Sequence, residues 1–254
     1  MTDAERSSPP LRSPERPFFS IVVPAYNEES YLPKTLSSIQ ISAQRTGVRF
    51  ELIVVDNASS DHTRIVAQVA GATVVRHGQR GAGAARNAGA RAAVGDYLVF
   101  IDADVTVSEY AFSILVGELD RRPIRVGAFR AIYMPKKLGS WLLCAYWDWK
   151  RSRGGPCQGV SQIFRRDLFD EARGYDPELV MGEDADLYRR ASSKDLEDGG
   201  VGGVLIQDAI VWPSCRRYDA WPSWRMFTIQ NSLAVRFFPR SEWVWRAWRQ
   251  GSIR

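Results

Sequence analysis

The chain has 254 residues, 45% hydrophobic and 25% charged, which suits a globular protein with one large core or two small ones. Cys144, Cys157 and Cys215 are too few and too irregularly spaced for a disulfide framework or a zinc site, and they read as reduced thiols in a cytosolic setting. The net charge of +5 is uneven: from Trp212 to Arg254 eight arginines face two acidic residues, whereas the preceding residues carry 26 basic and 27 acidic side chains.

Residues 1–17 (MTDAERSSPPLRSPERP) contain no apolar run, which predicts a disordered tail and neither a signal peptide nor an anchor. Next comes an apolar run, FFSIVV (18–23), and then Leu32, Leu36, Ile39 and Ala43 at helical spacing. FELIVV (50–55) precedes the capping types Ser59, Ser60 and Asp61 and a helical pattern with Ile65, Val66 and Val69. ATVV (72–75) leads into an alanine-rich helix over 81–94. DYLVFI (96–101) leads into a helix over 108–121. Strands apolar on both faces and alternating with helices predict a mostly parallel sheet flanked by helices, with ligands bound at the carboxyl ends of the strands. The polar clusters fall at those ends: Asn27 and Glu28, Asp56 and Asn57, Asp102 and Asp104.

The pattern loosens after Tyr133. KKLGSWLLCAYWDWKR has the look of an amphipathic or interfacial segment, and its apolar run is broken at Asp148, far short of the roughly 18 residues of a spanning helix. RGGPCQG reads as a glycine-rich loop, VSQIFRR and VLIQDAIVW as strands, and SSKDLEDGGVGG (192–203) as a flexible connector.

Several short stretches offer chemistry, each with a plainer explanation beside it. In PAYNEE, Pro24 ends a strand, Tyr26 offers a stacking surface and Glu28 an acceptor for hydroxyl or ring N–H groups. A strand-to-helix turn with acids near a helix start explains the same letters. Asp56 in VVDNASSD stands where a nucleotide base could be read, in a segment also rich in turn formers. GQRGAGAARNAG is not a dinucleotide fingerprint, because Arg86 stands where the third glycine belongs. No G-K-[ST] follows any glycine-rich loop, which excludes a P-loop. Its small residues instead suit close packing of a helix on the sheet, with Arg86 reaching a diphosphate. Glu183, Asp184 and Asp186 in GEDADLYRR suit the first turn of a helix by charge alone. Asp102 and Asp104, two apart at a strand end, point the same way and need water, a cation or a basic group between them.

In this order and at these separations, SIVVPAYNEE, ELIVVDNASSD, GAGAARNAGA, YLVFIDADV, ARGYDPELVMGEDADLYRR and CRRYDAW resemble the family 2 glycosyltransferases, over roughly residues 18–217. The resemblance implies a GT-A (Rossmann-like) α/β fold with one catalytic domain. Residues 18–133 would form its nucleotide-sugar-binding half and 134–217 its acceptor-side half, followed by a basic, Trp-rich extension over 218–254. It implies inverting, metal-dependent transfer of a sugar from a UDP- or GDP-linked donor to an acceptor hydroxyl, with Mg²⁺ or Mn²⁺ neutralising the departing diphosphate.

The family's D-x-D motif maps onto Asp102-Ala103-Asp104, with Asp104 the direct metal ligand and Asp102 on ribose or metal-bound water. Pro24, Ala25 and Tyr26 would line the donor site. Asp56 would bind the nucleobase, Glu28 the base or ribose, and Arg86 the base–diphosphate region. Asp184 would be the base, with Glu183 supporting it or binding acceptor. Many relatives complete the metal shell with a C-terminal histidine, but this chain has only His62 and His77, both in its first half. Arg216 and Arg217 would bring charge toward the diphosphate instead. No Q-x-x-R-W signature is present, so processive synthesis is not expected.

In the tail, WPSWRMF to FFPRSEWVWRAWRQ, the aromatics either complete the core or form a peripheral membrane surface at a cytosolic face, which would suit a lipid-linked or membrane-proximal acceptor. No nucleic-acid-binding pattern is present. Two rivals remain. A sugar-nucleotide nucleotidyltransferase would carry a basic glycine-rich loop after the first strand, where PAYNEE stands. A non-catalytic nucleotide-sugar-binding protein would lack Asp104 or Asp184.

Overall fold

A computed structural model describes residues 16–78, 81–152, 159–216, 219 and 238–241. The tail expected over 1–17 (all but Arg16 and Pro17), most of the RGGPCQG loop with Cys157, Arg217 and nearly all of the 218–254 extension lie outside the described residues. Arg16 forms an ion pair with Asp96 just before the first strand.

The strands are β1 (Phe19–Ala25), β2 (Phe50–Asp56), β3 (Thr73–Arg76), β4 (Tyr97–Ile101), β5 (Val105–Val107), β6 (Val126–Ala131), β7 (Ser161–Arg165) and β8 (Gly203–Pro213). The helices are α1 (Leu32–Gln44), α2 (Thr63–Val69), α3 (Ala82–Ala92), α4 (Ala111–Arg121), α5 (Leu138–Ser152), α6 (Arg166–Glu171) and α7 (Glu183–Glu197). The strands form one sheet in the order β3-β2-β1-β4-β7-β6-β8-β5. β3, β2, β1 and β4 run parallel, as the alternating pattern predicts. Beyond β4 the sheet is mixed, because β7 runs antiparallel to both β4 and β6, and β5 antiparallel to β8. The expectation of a mostly parallel sheet therefore holds for the first half only.

Strand residues alternate between two cores, which is why β1, β2 and β4 read as continuous apolar runs. Ile21, Val23, Leu52, Val54, Val99 and Ile101 pack under Leu32, Leu36 and Ile39 of α1 and Leu115 and Leu119 of α4. Val22, Ile53, Val55, Leu98 and Phe100 pack on the other face under α3, α6 and α7. The small residues of α3 let it sit tight on the sheet: a Cβ on Gly89 would lie 2.3 Å from Cγ1 of Val22. In α2 the sequence pattern misleads, since Ile65 and Val69 are exposed and Thr63 and Ala67 are the buried positions. The connector expected over 192–203 is helical as far as Glu197, with Asp195 fully buried and paired with Arg125. That ion pair gives an otherwise polar segment a reason to stay ordered.

Candidate active site

Because β1 and β2 pair in register up to Ala25 and Asp56, their polar ends emerge side by side at one rim. Asn57 N–H donates to the Ala25 carbonyl at 2.8 Å and Ser59 N–H to Asp56 Oδ1 at 3.0 Å. Asn27, in the left-handed region at φ 54°, accepts from Ser60 N–H at 2.7 Å, and Glu28 N–H donates to Thr63 Oγ1 at 2.7 Å. Asn and the short polar residues tolerate such turns by local hydrogen bonding. Pro24 and Tyr26 are half-buried at the same rim, and Ala25 is buried.

The two carboxylates after β4 stand in fixed positions. Asp102 N–H donates to the Val160 carbonyl at 3.1 Å, Thr35 Oγ1 to the Ala103 carbonyl at 2.8 Å, and Ser214 N–H to the Asp104 carbonyl at 3.0 Å. Their mutual repulsion is relieved by two arginines. Arg86 Nη2 lies 2.7 Å from Asp102 Oδ1, and Arg216 Nη2 lies 3.2 Å from Asp104 Oδ2. Each arginine also holds a second acid: Arg86 Nη1 donates to Glu183 Oε1 at 2.9 Å, and Arg216 makes a two-pronged contact with Glu28, 2.8 Å for the Nη1 bond. Each guanidinium faces a ring as well, Arg86 at 5.3 Å from the Tyr175 centroid and Arg216 at 4.5 Å from that of Tyr31. Burial alone would pull the Arg86 guanidinium down, but Asp102, Tyr175 and Glu183 outweigh it and hold its pKa above the usual value.

Glu183 and Asp184 open α7 after Gly182, which takes φ 81°. Tyr175 hydroxyl donates to Gln162 Oε1 at 2.8 Å, and Gln162 Nε2 donates to the Asp184 carbonyl at 2.9 Å, so β7 fixes the start of the helix. Gly159 presses against the Asp184 carboxylate, where a Cβ would lie 2.2 Å from Oδ2. Burial, reinforced by Asp184, pushes the Glu183 carboxyl up to about 7 against the opposing pull of Arg86. Burial also raises Asp184, with Asp102 adding to it and Arg86 opposing.

The structure thus brings Asp102, Asp104, Arg86, Glu183, Asp184, Glu28 and Arg216 into one contiguous array at the sheet rim. Asp56 is held in the neighbouring turn. Tyr175, Gln162, Gly159 and Tyr31 were not singled out by sequence reasoning; Tyr175 stood inside a recognised motif, and the others carry no local signal. For a cation, the donor set is Asp102 and Asp104, carboxylate oxygens at the rim that suit a hard ion such as Mg²⁺ or Mn²⁺. Among the described residues no cluster of three or more His, Cys, Asp or Glu forms a closed metal cage.

The sequence profile of glycosyl transferase family 2 matches residues 20–173, more than half of the chain. An uncharacterized glycosyltransferase of Mycobacterium tuberculosis is 37% identical over 220 residues, covering 76% of this chain and 95% of its own length. This chain belongs to glycosyltransferase family 2. Like it in fold is a mannosyltransferase from Pyrobaculum calidifontis, solved with GDP-Man and Mn²⁺. It is 20% identical, with 88% of this chain and 63% of that one covered and a TM-score of 0.66. Glucosyl-3-phosphoglycerate synthase from Mycobacterium tuberculosis, solved with Mn²⁺, UDP and glucosyl-3-phosphoglycerate, is 22% identical, covers 89% of this chain and 79% of that one, and has a TM-score of 0.56. Some curated family 2 relatives are much longer: the alignment spans 29% and 33% of two of them.

Proposed function

We propose that this chain transfers a sugar from a nucleoside diphosphate sugar to an acceptor hydroxyl in one in-line displacement, inverting the anomeric centre. The observation that carries this reading is the Glu183–Asp184 pair held at the rim beside Asp102 by Arg86. Asp184 takes the proton of the acceptor hydroxyl as that oxygen bonds to the anomeric carbon and the bond from carbon to the diphosphate oxygen breaks. A carboxylate whose proton affinity is raised by burial is a better base than an ordinary aspartate. Gly159 and Gln162 fix its position, and Glu183, locked by Arg86, supports it or binds acceptor.

On the donor side, Asp56 and Glu28 face the nucleobase and ribose, with Pro24, Ala25 and Tyr26 lining the turn. Asp104 and Asp102 would hold Mg²⁺ or Mn²⁺, which when bound neutralises charge building on the leaving diphosphate. Arg216 stands beside Asp104 and brings a fixed positive charge to the same place. The nucleotides and Mn²⁺ bound by the two structural relatives support this donor class.

A thermal-shift panel of UDP, GDP and their sugars, with and without Mg²⁺ or Mn²⁺, tests the reading. A donor at about one hundred times its dissociation constant should stabilise the fold by roughly 2.7 kcal/mol. No shift with any of them overturns the donor assignment, and a product of retained anomeric configuration, read by NMR, overturns the single displacement.

A further inference from the structure

The loop over 176–182 joins Tyr175 to α7 and so carries Glu183 and Asp184 at its far end. Its near end is fixed from α3. Asn87 Nδ2 donates to the Tyr175 carbonyl at 2.7 Å, and Tyr175 N–H donates to Asn87 Oδ1 at 3.0 Å. Asp176 then folds the chain into a tight turn with Pro177 second in it. Glu178 N–H donates to Asp176 Oδ1 at 2.9 Å and Leu179 N–H to the Asp176 carbonyl at 3.3 Å. The far end is held differently: Val180 and Met181 N–H both point to one acceptor, the Pro239 carbonyl, at 2.9 and 3.3 Å.

That acceptor belongs to a second proline turn. Ser241 N–H donates to the Phe238 carbonyl at 3.2 Å, which closes a turn over 238–241. Pro239 takes its second position, where a ring-fixed φ of about −65° favours the turn. Because the Phe238 carbonyl closes the turn, the Pro239 carbonyl is left to accept from Val180 and Met181. Arg240, third in the turn, reaches the facing one: Nη2 lies 3.1 Å from Asp176 Oδ2 and Nη1 3.5 Å from Glu178 Oε2. Two backbone bonds and a forked ion pair thus hold one turn on the other. The Arg240 and Glu178 side chains are 62% and 70% exposed, so the ionic part is weak and open to salt.

We propose that the 238–241 turn is a strap on the loop ahead of α7, with Arg240 a positioning residue for Asp184. The loop meets the helix at Gly182, in the left-handed region at φ 81°, a residue that by itself resists backbone rotation little. Holding Val180 and Met181 immediately ahead of that glycine sets where the first turn of α7 begins, while Gln162 holds the same start from within the sheet. The attachment of the strap stands on geometry alone. Its positioning role rests on the reading of Asp184 as the base.

Hydrogen exchange at Val180 and Met181 in the full chain tests the attachment without any assay of transfer. Arg240→Glu should speed exchange there about threefold or more, and the charge swap Arg240→Glu/Glu178→Arg should recover part of the protection. Pro239→Gly, which loosens the turn without altering charge, should act as Arg240→Glu does. Arg240 is exposed and Pro239 half-exposed, so circular dichroism and thermal unfolding should stay near wild type. Release of UDP from UDP-glucose or GDP from GDP-mannose, with water as the acceptor, tests the positioning. In both single variants kcat should fall about threefold or more, and the swap should recover part of it. The dissociation constant of the nucleoside diphosphate with Mn²⁺ should stay within about twofold of wild type. Unchanged exchange in both Arg240→Glu and Pro239→Gly overturns the strap. Faster exchange with unchanged kcat, or a nucleotide constant that moves with kcat, overturns the positioning of the base. Failure of the base reading shows instead as wild-type kcat in Asp184→Asn, and exchange alone then decides the strap.

Discussion

Two arginines perform the same electrostatic task at opposite ends of the D-A-D turn, and their surroundings give them different characters. Arg86 projects from a helix packed tightly on the sheet, is 4% exposed, and bridges Asp102 to Glu183 over the Tyr175 ring. Arg216 follows the last strand at the rim and bridges Asp104 to Glu28 over the Tyr31 ring; its side chain is 11% exposed against 5% for that of Arg86, while the acids of the two bridges are similarly open. An ion pair buried among packed residues is costly to break, because the partner left behind is an unpaired buried charge. One at a rim exchanges more readily with water, a cation or a phosphate. On the proposed reading, Arg86, the more deeply buried guanidinium, would act as a brace for the base, and Arg216 as the more readily exchanged contact on the donor side.

The largest effect expected on this comparison is at the group that the Arg86 bridge braces. Asp184→Asn should lower transfer by about a thousandfold while leaving donor affinity near wild type, read by steady-state kinetics and calorimetric titration. Activity near wild type would move the base elsewhere. Next, Arg86→Met should destabilise the fold by roughly 3 kcal/mol, since Glu183 and Asp102 lose their shared partner; thermal or urea unfolding measures it. Arg216→Met should cost less, roughly 1–2 kcal/mol, and Mn²⁺ should recover part of the loss. Mn²⁺ binding without donor, followed by electron paramagnetic resonance, should tighten in Arg216→Met as Asp104 is released. If the two variants lose equal stability, or Mn²⁺ binding does not tighten, the distinction between brace and exchangeable contact fails.

The smallest effect is a pH slope. Glu183 moves from 4.5 to about 7 on folding and Asp184 moves up as well, so the folded state binds protons more tightly than the unfolded chain. These groups thus favour folding fully below about pH 4.5, and that contribution drains away as pH rises through about 7. The melting temperature should fall over that window by more in the wild type than in Glu183→Gln, which removes one titrating member of the pair. Equal slopes would place the titration elsewhere.

Much of this was legible in the chain itself. The apolar runs at 18–23, 50–55 and 96–101 became β1, β2 and β4, because strands buried on both faces need unbroken apolar letters. The acids at their ends came out at one rim because parallel strands in register end together. Less legible were the short β5, and α2, where Thr63 and Ala67 replace Ile65 and Val69 in the core: a seven-residue helix touches its neighbours on too small an arc for periodicity to report. The end of α7 was read as a connector because its order comes from Asp195 meeting Arg125, 70 residues away in the chain.

The sequence by itself determined the parallel half of the sheet, the family, and the identity of the acids at the strand ends. These follow from local periodicity and from motifs whose residues lie within a few positions of one another. Only the tertiary structure decided what neutralises those acids. Insertion of antiparallel β7 beside β4 carries Gln162 and Gly159 to the start of α7, and pairing of β8 with β5 carries Arg216 to Asp104 and, across 188 positions, to Glu28. An arginine's letters are the same whether it faces water or a carboxylate. Its partner is set by the order in which distant strands pair, so charge balance is a property of the sheet and not of any segment within it.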